Sequence, residues 1–276
     1  MRILTPKQTG CCFGVNRAIK LTEETLLSKK PAYLFGELVH NETITRELSK
    51  KGLNVVKGID DVKCGTLIIR AHGISPDERR KAQEKMIDMV DATCPIVRQA
   101  QLAAQRLEKE GYQVVIVGDK NHAEIKGIFG HLKKGALVVG SYQEVDPKKL
   151  GKRVGLIFQT THSIELCRDV LAEVMKVAHE IKVINTICAD IRKRQEDAVA
   201  LAKKADLMIV VGSHKSSNTI KLKKLCLEYN TNTIQIETAR GLTPQRLKGV
   251  KSVGIIGGAS TPDILIEEVK KKLKDV

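Results

Sequence analysis

Asp91-Ala92-Thr93-Cys94-Pro95 closes an apolar strand over Met89–Asp91 and opens a helix over Pro95–Glu110. The same junction recurs 82 residues earlier, in Gly10-Cys11-Cys12-Phe13-Gly14-Val15, and 94 residues later, in Asn185-Thr186-Ile187-Cys188. No local metal motif has such spacings, so a ligand shared by Cys12, Cys94 and Cys188 has to be assembled by the fold. At a helix N-terminus, backbone amides and the positive end of the helix dipole favour a thiolate. A depressed thiol pKa is therefore expected at these cysteines. With it comes a metal or iron–sulfur cluster that has three protein ligands and one open coordination position.

Outward from these junctions, short β-branched runs alternate with amphipathic helical stretches. Strands are expected over Arg2–Thr5, Ala32–Phe35, Thr66–Arg70, Met89–Asp91, Gln113–Val117, Ala136–Val139, Val154–Phe158, Val183–Thr186, Leu207–Val211, Thr233–Ile236 and Val253–Ile256. Helices are expected over Val15–Leu27, Thr43–Lys51, Pro76–Lys85, Pro95–Glu110, Ile164–His179, Arg192–Ala205, Thr219–Tyr229 and Pro262–Leu273. Val114-Val115-Ile116-Val117 and Leu207-Met208-Ile209-Val210-Val211 are apolar at every position, as in strands covered on both faces. The fold class is α/β with parallel sheets and crossover helices. Eleven strands exceed the eight of a single barrel, which stays as the alternative. Division at the cysteines gives three small units, 13–94, 95–188 and 189–276 plus 1–12, the first strand joining the last unit.

At 276 residues and 42% hydrophobic content the chain can build such units. No apolar run approaches the roughly 18 residues of a membrane helix. Met1-Arg2-Ile3-Leu4-Thr5-Pro6 lacks the apolar stretch of a secretory signal. Seven cysteines without export features argue against a disulfide framework, and a cytoplasmic location is expected. The net charge of +15 suits a phosphorylated substrate, nucleic acid or an acidic partner. With no Trp and 3% aromatics, base-stacking platforms are not expected.

Ligands of open parallel sheets collect beyond the carboxyl ends of the strands. Here those ends read Val39-His40-Asn41, Ala71-His72-Gly73, Asp119-Lys120-Asn121-His122-Ala123-Glu124, Gln159-Thr160-Thr161-His162-Ser163, Gly212-Ser213-His214-Lys215-Ser216-Ser217-Asn218 and Gly257-Gly258-Ala259-Ser260-Thr261. Singly, Asn218, Ser260 and Thr261 are ordinary helix caps, each histidine suits a water-facing surface, and Glu124 suits a solvated helix start. Together, imidazoles, hydroxyls and converging helix N-termini make a site for phosphate oxygens. A phosphate loop of the nucleotide-binding kind and a dinucleotide fingerprint are both absent, so the phosphate belongs to the substrate. Cys167 and Cys226 read as buried helix faces and Cys64 as a turn residue; Cys11, beside Cys12, is ambiguous.

Gly10–Ala18, Leu38–Asn41, Arg70–Ser75, Asp91–Pro95, His122–Glu124, Gln159–Thr161, Ile187-Cys188, Ser216–Asn218 and Gly258–Leu265 resemble, in order and across nearly the whole chain, the 4-hydroxy-3-methylbut-2-enyl diphosphate reductase family. The resemblance implies reductive removal of an allylic hydroxyl with two electrons and two protons, the last step of the methylerythritol phosphate route to isoprenoids. It implies three α/β units in pseudo-threefold arrangement around a [4Fe-4S] cluster held by Cys12, Cys94 and Cys188, the fourth iron taking the substrate hydroxyl. It further implies diphosphate binding by His40, His72, His122, Ser216, Ser217, Asn218 and Ser260, with Thr160 near the hydroxyl and Glu124 supplying protons through it. A ferredoxin or flavodoxin is the implied electron donor, and a monomer is expected. Cys11 stands where the family usually has an aromatic residue; His162 and His214 also depart from its pattern. The rival readings are a quinolinate-synthase-like [4Fe-4S] dehydratase and a basic RNA-binding or cluster-sensing protein.

Overall fold

The computed structural model describes residues 1–28 and 31–275; Lys29, Lys30 and Val276, which fall inside the expected units, lie outside the described residues. The strands are β1 (Arg2–Leu4), β2 (Ala32–Phe35), β3 (Leu53–Val56), β4 (Thr66–Ile69), β5 (Asp88–Asp91), β6 (Gln113–Val117), β7 (Leu137–Val139), β8 (Arg153–Phe158), β9 (Glu180–Val183), β10 (Leu207–Val211), β11 (Thr233–Ile236) and β12 (Ser252–Gly257). The helices are α1 (Phe13–Leu27), α2 (Glu42–Lys50), α3 (Pro76–Glu84), α4 (Pro95–Lys109), α5 (Ala123–Gly130), α6 (Ile164–Met175), α7 (Ala189–Ala202), α8 (Ser217–Tyr229), α9 (Pro244–Leu247) and α10 (Asp263–Lys274).

The strands form three four-stranded sheets, ordered β3-β2-β4-β5, β7-β6-β8-β9 and β11-β10-β12-β1, with every pairing parallel. The three orders are one pattern repeated: first strand inside, second at one edge, third inside, fourth at the other edge. In the last sheet that edge is filled by β1 from the start of the chain, Arg2 to Leu4 lying beside Ser252 to Gly254. Each edge strand of this kind, β5, β9 and β1, runs on to one of the three cysteines. The expected α/β class with three parallel sheets is therefore the observed one.

By contact density the described residues form two compact units. One contains Met1–Asn16, Val39–Glu47 and the chain from Ala189 onward; the other contains Arg17–Leu38 and Leu48–Cys188. In the first unit the central strands are apolar on both faces because helices cover both. Leu207, Ile209, Val211, Val253 and Ile255 pack with Leu265, Ile266 and Val269 of α10. Met208, Val210 and Ile256 pack with Ala198 and Ala202 of α7 and Leu222 and Cys226 of α8. The second unit repeats this around β6 and β8, with Val170 and Val174 of α6 on one face. Ala100, Ala104 and Leu107 of α4 and Ile125 and Ile128 of α5 cover the other. Each fully buried aliphatic side chain contributes about 1.5–3 kcal/mol over an exposed one. Cys167 and Cys226 are core residues of this kind, as their helical positions imply.

Among the strands, the main differences from expectation lie at sheet edges; among the helices, α5 is absent from those expected and α7 runs three residues earlier than Arg192–Ala205. β3 is missing from the sequence reading because two of its four residues, Asn54 and Val55, are exposed and its apolar signal is short. β9 occupies Glu180–Val183 rather than Val183–Thr186, and α6 before it stops at Met175 rather than at His179. Edge strands pair on one side only and carry charge that blunts their free edge, so their composition is the least strand-like.

Candidate active site

The three cysteine junctions share one backbone arrangement. The amide of Cys94 donates to the Ala71 carbonyl, that of Cys188 to Thr160 and that of Cys12 to Ala259, each at 2.9 Å. Ala71, Thr160 and Ala259 stand just beyond β4, β8 and β12, the strands next to each cysteine-bearing edge. The turns that hold these carbonyls also match: Gly73, His162 and Thr261 donate back to Arg70, Gln159 and Gly258 at 2.9–3.0 Å. Cys11 has no place in this pattern, which singles out Cys12 of the adjacent pair.

In the second unit Cys94 caps α4, with Pro95 in the first helical position. The amides of Ile96 and Val97 reach its sulfur, as expected of a helix N-terminus. The expected fall in thiol pKa does not follow. Burial pushes the Cys94 thiol up, the two amides only partly offset this, and Cys188 and Glu124 nearby raise it further. Two sulfurs and a carboxylate thus share one partly desolvated neighbourhood, in which negative charge is stabilised once a cation is present.

Glu124 is not the solvated residue that its position at a helix start suggests: it is 1% exposed. One carboxylate oxygen accepts the Thr160 amide at 2.7 Å and the other accepts the Thr160 hydroxyl at 2.9 Å. Thr160 is itself buried, and its carbonyl receives the Cys188 amide. His122 caps α5, its Nδ1 accepting the Glu124 amide at 3.2 Å, so its proton sits on Nε2. The rings of His72 and His122 meet edge to face, centroids 5.3 Å apart. Two imidazoles, a threonine hydroxyl and a carboxylate therefore gather at the strand ends beside Cys94 and Cys188. His162 is also buried here, whereas His214 is exposed.

The first unit brings together the other group. Ser216, and not the expected Asn218, caps α8 by accepting the Thr219 amide at 3.3 Å, and its hydroxyl proton remains available to donate. Ser217 and Asn218 open the helix; the Asn218 Nδ2 is buried without a hydrogen-bond partner. A buried donor left unsatisfied costs about 1–3 kcal/mol, and such a group marks a place that a ligand completes. Asn41 holds the β12 tip in place: its Nδ2 donates to the Ser260 carbonyl at 2.6 Å while its Oδ1 caps α2. The Ser260 hydroxyl donates to the His40 carbonyl at 3.4 Å. Gly258 is needed because a Cβ there would lie 2.1 Å from the Thr219 hydroxyl.

Arg194 is the residue sequence reasoning missed; on α7 it reads as one more solvated charge. It is 5% exposed. Its guanidinium donates to the Gly10 carbonyl at 2.8 Å and the Gly257 carbonyl at 3.3 Å, with Asp190 as counterion. It thereby ties the long loop between β1 and Cys12 to the end of β12. Gly10 has φ +76°, and a Cβ there would strike the Asp263 carboxylate at 2.1 Å. The Cys11 thiol is pushed up to about 12, first by burial and then by Cys12. Arg194→Met removes two charge-assisted bonds, each worth about 1.5–3 kcal/mol. It is expected to lower the thermal midpoint by several degrees and to speed hydrogen exchange at the Cys12 amide. Unchanged exchange there counts against the brace.

A family model described as LytB protein matches residues 3–274. The chain is 39% identical over 276 residues to the 4-hydroxy-3-methylbut-2-enyl diphosphate reductase of Geobacter metallireducens, covering 100% of this chain and 98% of that one. To the enzyme of the same name from Aquifex aeolicus it is 40% identical over 279 residues, covering 99% and 96%. A solved structure of (E)-4-hydroxy-3-methyl-but-2-enyl diphosphate reductase, described as the terminal enzyme of the non-mevalonate pathway, matches with TM-score 0.74 and 39% identity over 100% of both chains. The Plasmodium falciparum reductase matches with TM-score 0.91 and 32% identity over 99% of this chain and 87% of that one.

Proposed function

Because the chain belongs to the LytB family, whose relatives are 4-hydroxy-3-methylbut-2-enyl diphosphate reductases, we propose that its strand-end residues perform the family's reductive dehydroxylation. The enzyme is an oxidoreductase of the terminal methylerythritol phosphate step. Two electrons and two protons convert the allylic alcohol to isopentenyl or dimethylallyl diphosphate, and the hydroxyl leaves as water.

Cys12, Cys94 and Cys188 are the proposed ligands of a [4Fe-4S] cluster, which supplies electrons singly and, at its iron without a protein ligand, a Lewis acid for the hydroxyl oxygen. The donor set suits such a group. All three are half-buried cysteines outside any disulfide, with their amides fixed in the same way to a neighbouring strand tip. The proposed arrangement is the three units 13–94, 95–188 and 189–276 plus 1–12 around this centre.

The observation that carries the reading is the buried Glu124–Thr160 pair beside the Cys94 and Cys188 thiols. The Thr160 hydroxyl lies 2.9 Å from the carboxyl of Glu124; once Glu124 is protonated the bond turns round, the carboxyl donating to the Thr160 oxygen while Thr160 passes its own proton to a substrate atom bound there. His40, His72, His122, Ser216, Ser217, Asn218 and Ser260 are the proposed diphosphate donors. The Asn218 amide then gains its missing acceptor from a phosphate oxygen. Asn218→Ala is expected to raise KM about tenfold with kcat nearly unchanged, the mark of binding shared by ground and transition states; an unaltered KM removes Asn218 from the binding set.

An acidic ferredoxin or flavodoxin is the proposed donor, and the proposed working form is a cytoplasmic monomer. No helix among the described residues is long and apolar enough to cross a membrane. The test is direct: anaerobic holoenzyme with reduced methyl viologen consumes the allylic diphosphate, releasing one water per two viologen radicals oxidised. Inertness overturns the reading and favours a dehydratase.

A further inference from the structure

Three guanidinium groups gather where β5 turns towards Cys94, two on the Asp91 carboxylate and a third on the backbone beside it. Arg79 and Arg98 each donate to the same Asp91 oxygen at 2.6 Å. Arg17 donates to the Thr93 and Asp91 carbonyls at 3.1 and 3.4 Å. Three cations thus face one anion, and the Arg98 side chain is 57% exposed. Other surface lysines differ: Lys176, Lys193 and Lys270 are each balanced by an acid of their own helix.

Arg98 lies one turn into α4, about 6 Å along the axis from Cys94. One turn further on the same face is Leu102, 58% exposed, followed by Arg106. An exposed leucine alone needs no explanation. Beside the Arg98 cation it forms a small apolar centre with a cationic edge, the composition of a brief, charge-steered encounter surface, to which Arg106, paired with Glu110 at 2.9 Å, adds no net charge.

We propose that this face of α4 is the docking site of an acidic one-electron carrier protein, its carboxylates meeting Arg17, Arg79 and Arg98 and its apolar surface meeting Leu102. The proposal rests on the reading of Cys94 as a cluster ligand in a reductase. Each encounter oxidises one carrier by one electron. Two encounters supply the two electrons that, with two protons, release the substrate hydroxyl as water. The Asp91 carboxylate serves to hold two guanidinium groups at the turn.

The test compares two reductants of the same holoenzyme: an acidic [2Fe-2S] ferredoxin and methyl viologen radical, a small cation with no need of the surface. Arg98→Glu is expected to raise the KM for ferredoxin about tenfold, to flatten its dependence on salt, and to keep the viologen rate within about twofold. Calorimetric binding of oxidised ferredoxin should weaken in parallel. Leu102→Gln, which touches no ion pair, should weaken binding less and carries the test if Arg98→Glu does not fold. Lys148→Glu, an exposed change of equal charge away from α4, is the control. Equal losses with Lys148→Glu reduce the effect to net charge and overturn the site. Unchanged ferredoxin kinetics in both α4 variants, or equal loss with both reductants, also overturns it. A parent enzyme inert with viologen refutes the underlying reductase reading instead.

Discussion

Cys94→Ser is expected to yield a folded chain that retains neither iron nor sulfide after anaerobic reconstitution and lacks the brown absorbance of an iron–sulfur protein. The loss follows from chemistry and position together. A serine hydroxyl is a poor iron ligand, and the backbone of this residue is held by the Ala71 carbonyl, so no neighbour slides into its place. The core does not depend on the thiol: Ala100, Ala104 and Leu107 anchor α4 against β6 and β8. Circular dichroism and thermal midpoint should therefore stay near those of the parent's metal-free form. Cys12→Ser and Cys188→Ser should behave alike, because each cysteine is pinned by the same hydrogen bond. Cys11→Ser should keep the full iron complement, since Cys11 lies outside that pattern. Iron retention by Cys94→Ser, or its loss in Cys11→Ser alone, contradicts the ligand set.

Glu124→Gln is expected to lower kcat by about 10²–10⁴ while leaving iron content and substrate affinity nearly intact. The amide fits the space of the carboxyl, and its oxygen still accepts the Thr160 amide. At the other position a nitrogen now donates where an oxygen accepted the Thr160 hydroxyl, so the proton direction between the two side chains is reversed. Geometry is preserved and proton supply is not. Thr160→Val should give a comparable fall by removing the intermediate hydroxyl. The pair is expected to be strongly non-additive, because both residues act on one proton path. Steady-state kinetics with viologen as reductant measures this without the carrier. A near-native kcat for Glu124→Gln removes the carboxyl as proton source.

The legible part of the fold was its interior. β2, β6 and β10 lie at the expected residues because inner parallel strands are continuous apolar runs, a pattern that survives without context. The edges were less legible. β3 and β9 gain their stability from pairing with β2 and β8, and their own side chains say little about it. At the site, residue types at strand tips identified the candidates, but their states were hidden. Glu124 was readable as a helix-start acid; only the Thr160 backbone, thirty-six residues away, makes it a buried acceptor. Arg194 carried no signal at all, since burial of an arginine depends on carbonyls of Gly10 and Gly257 that are remote in the chain.

Order along the chain determines which strands can be parallel neighbours and which cysteine follows each edge strand, because crossover connections and apolar periodicity are local properties. It cannot determine protonation or charge. The rise of the Cys94 thiol, against the fall that its helix position alone predicts, comes from desolvation and from neighbours at 124 and 188. Those energies depend on distance and dielectric surroundings, which exist only once the helices have closed over the sheets.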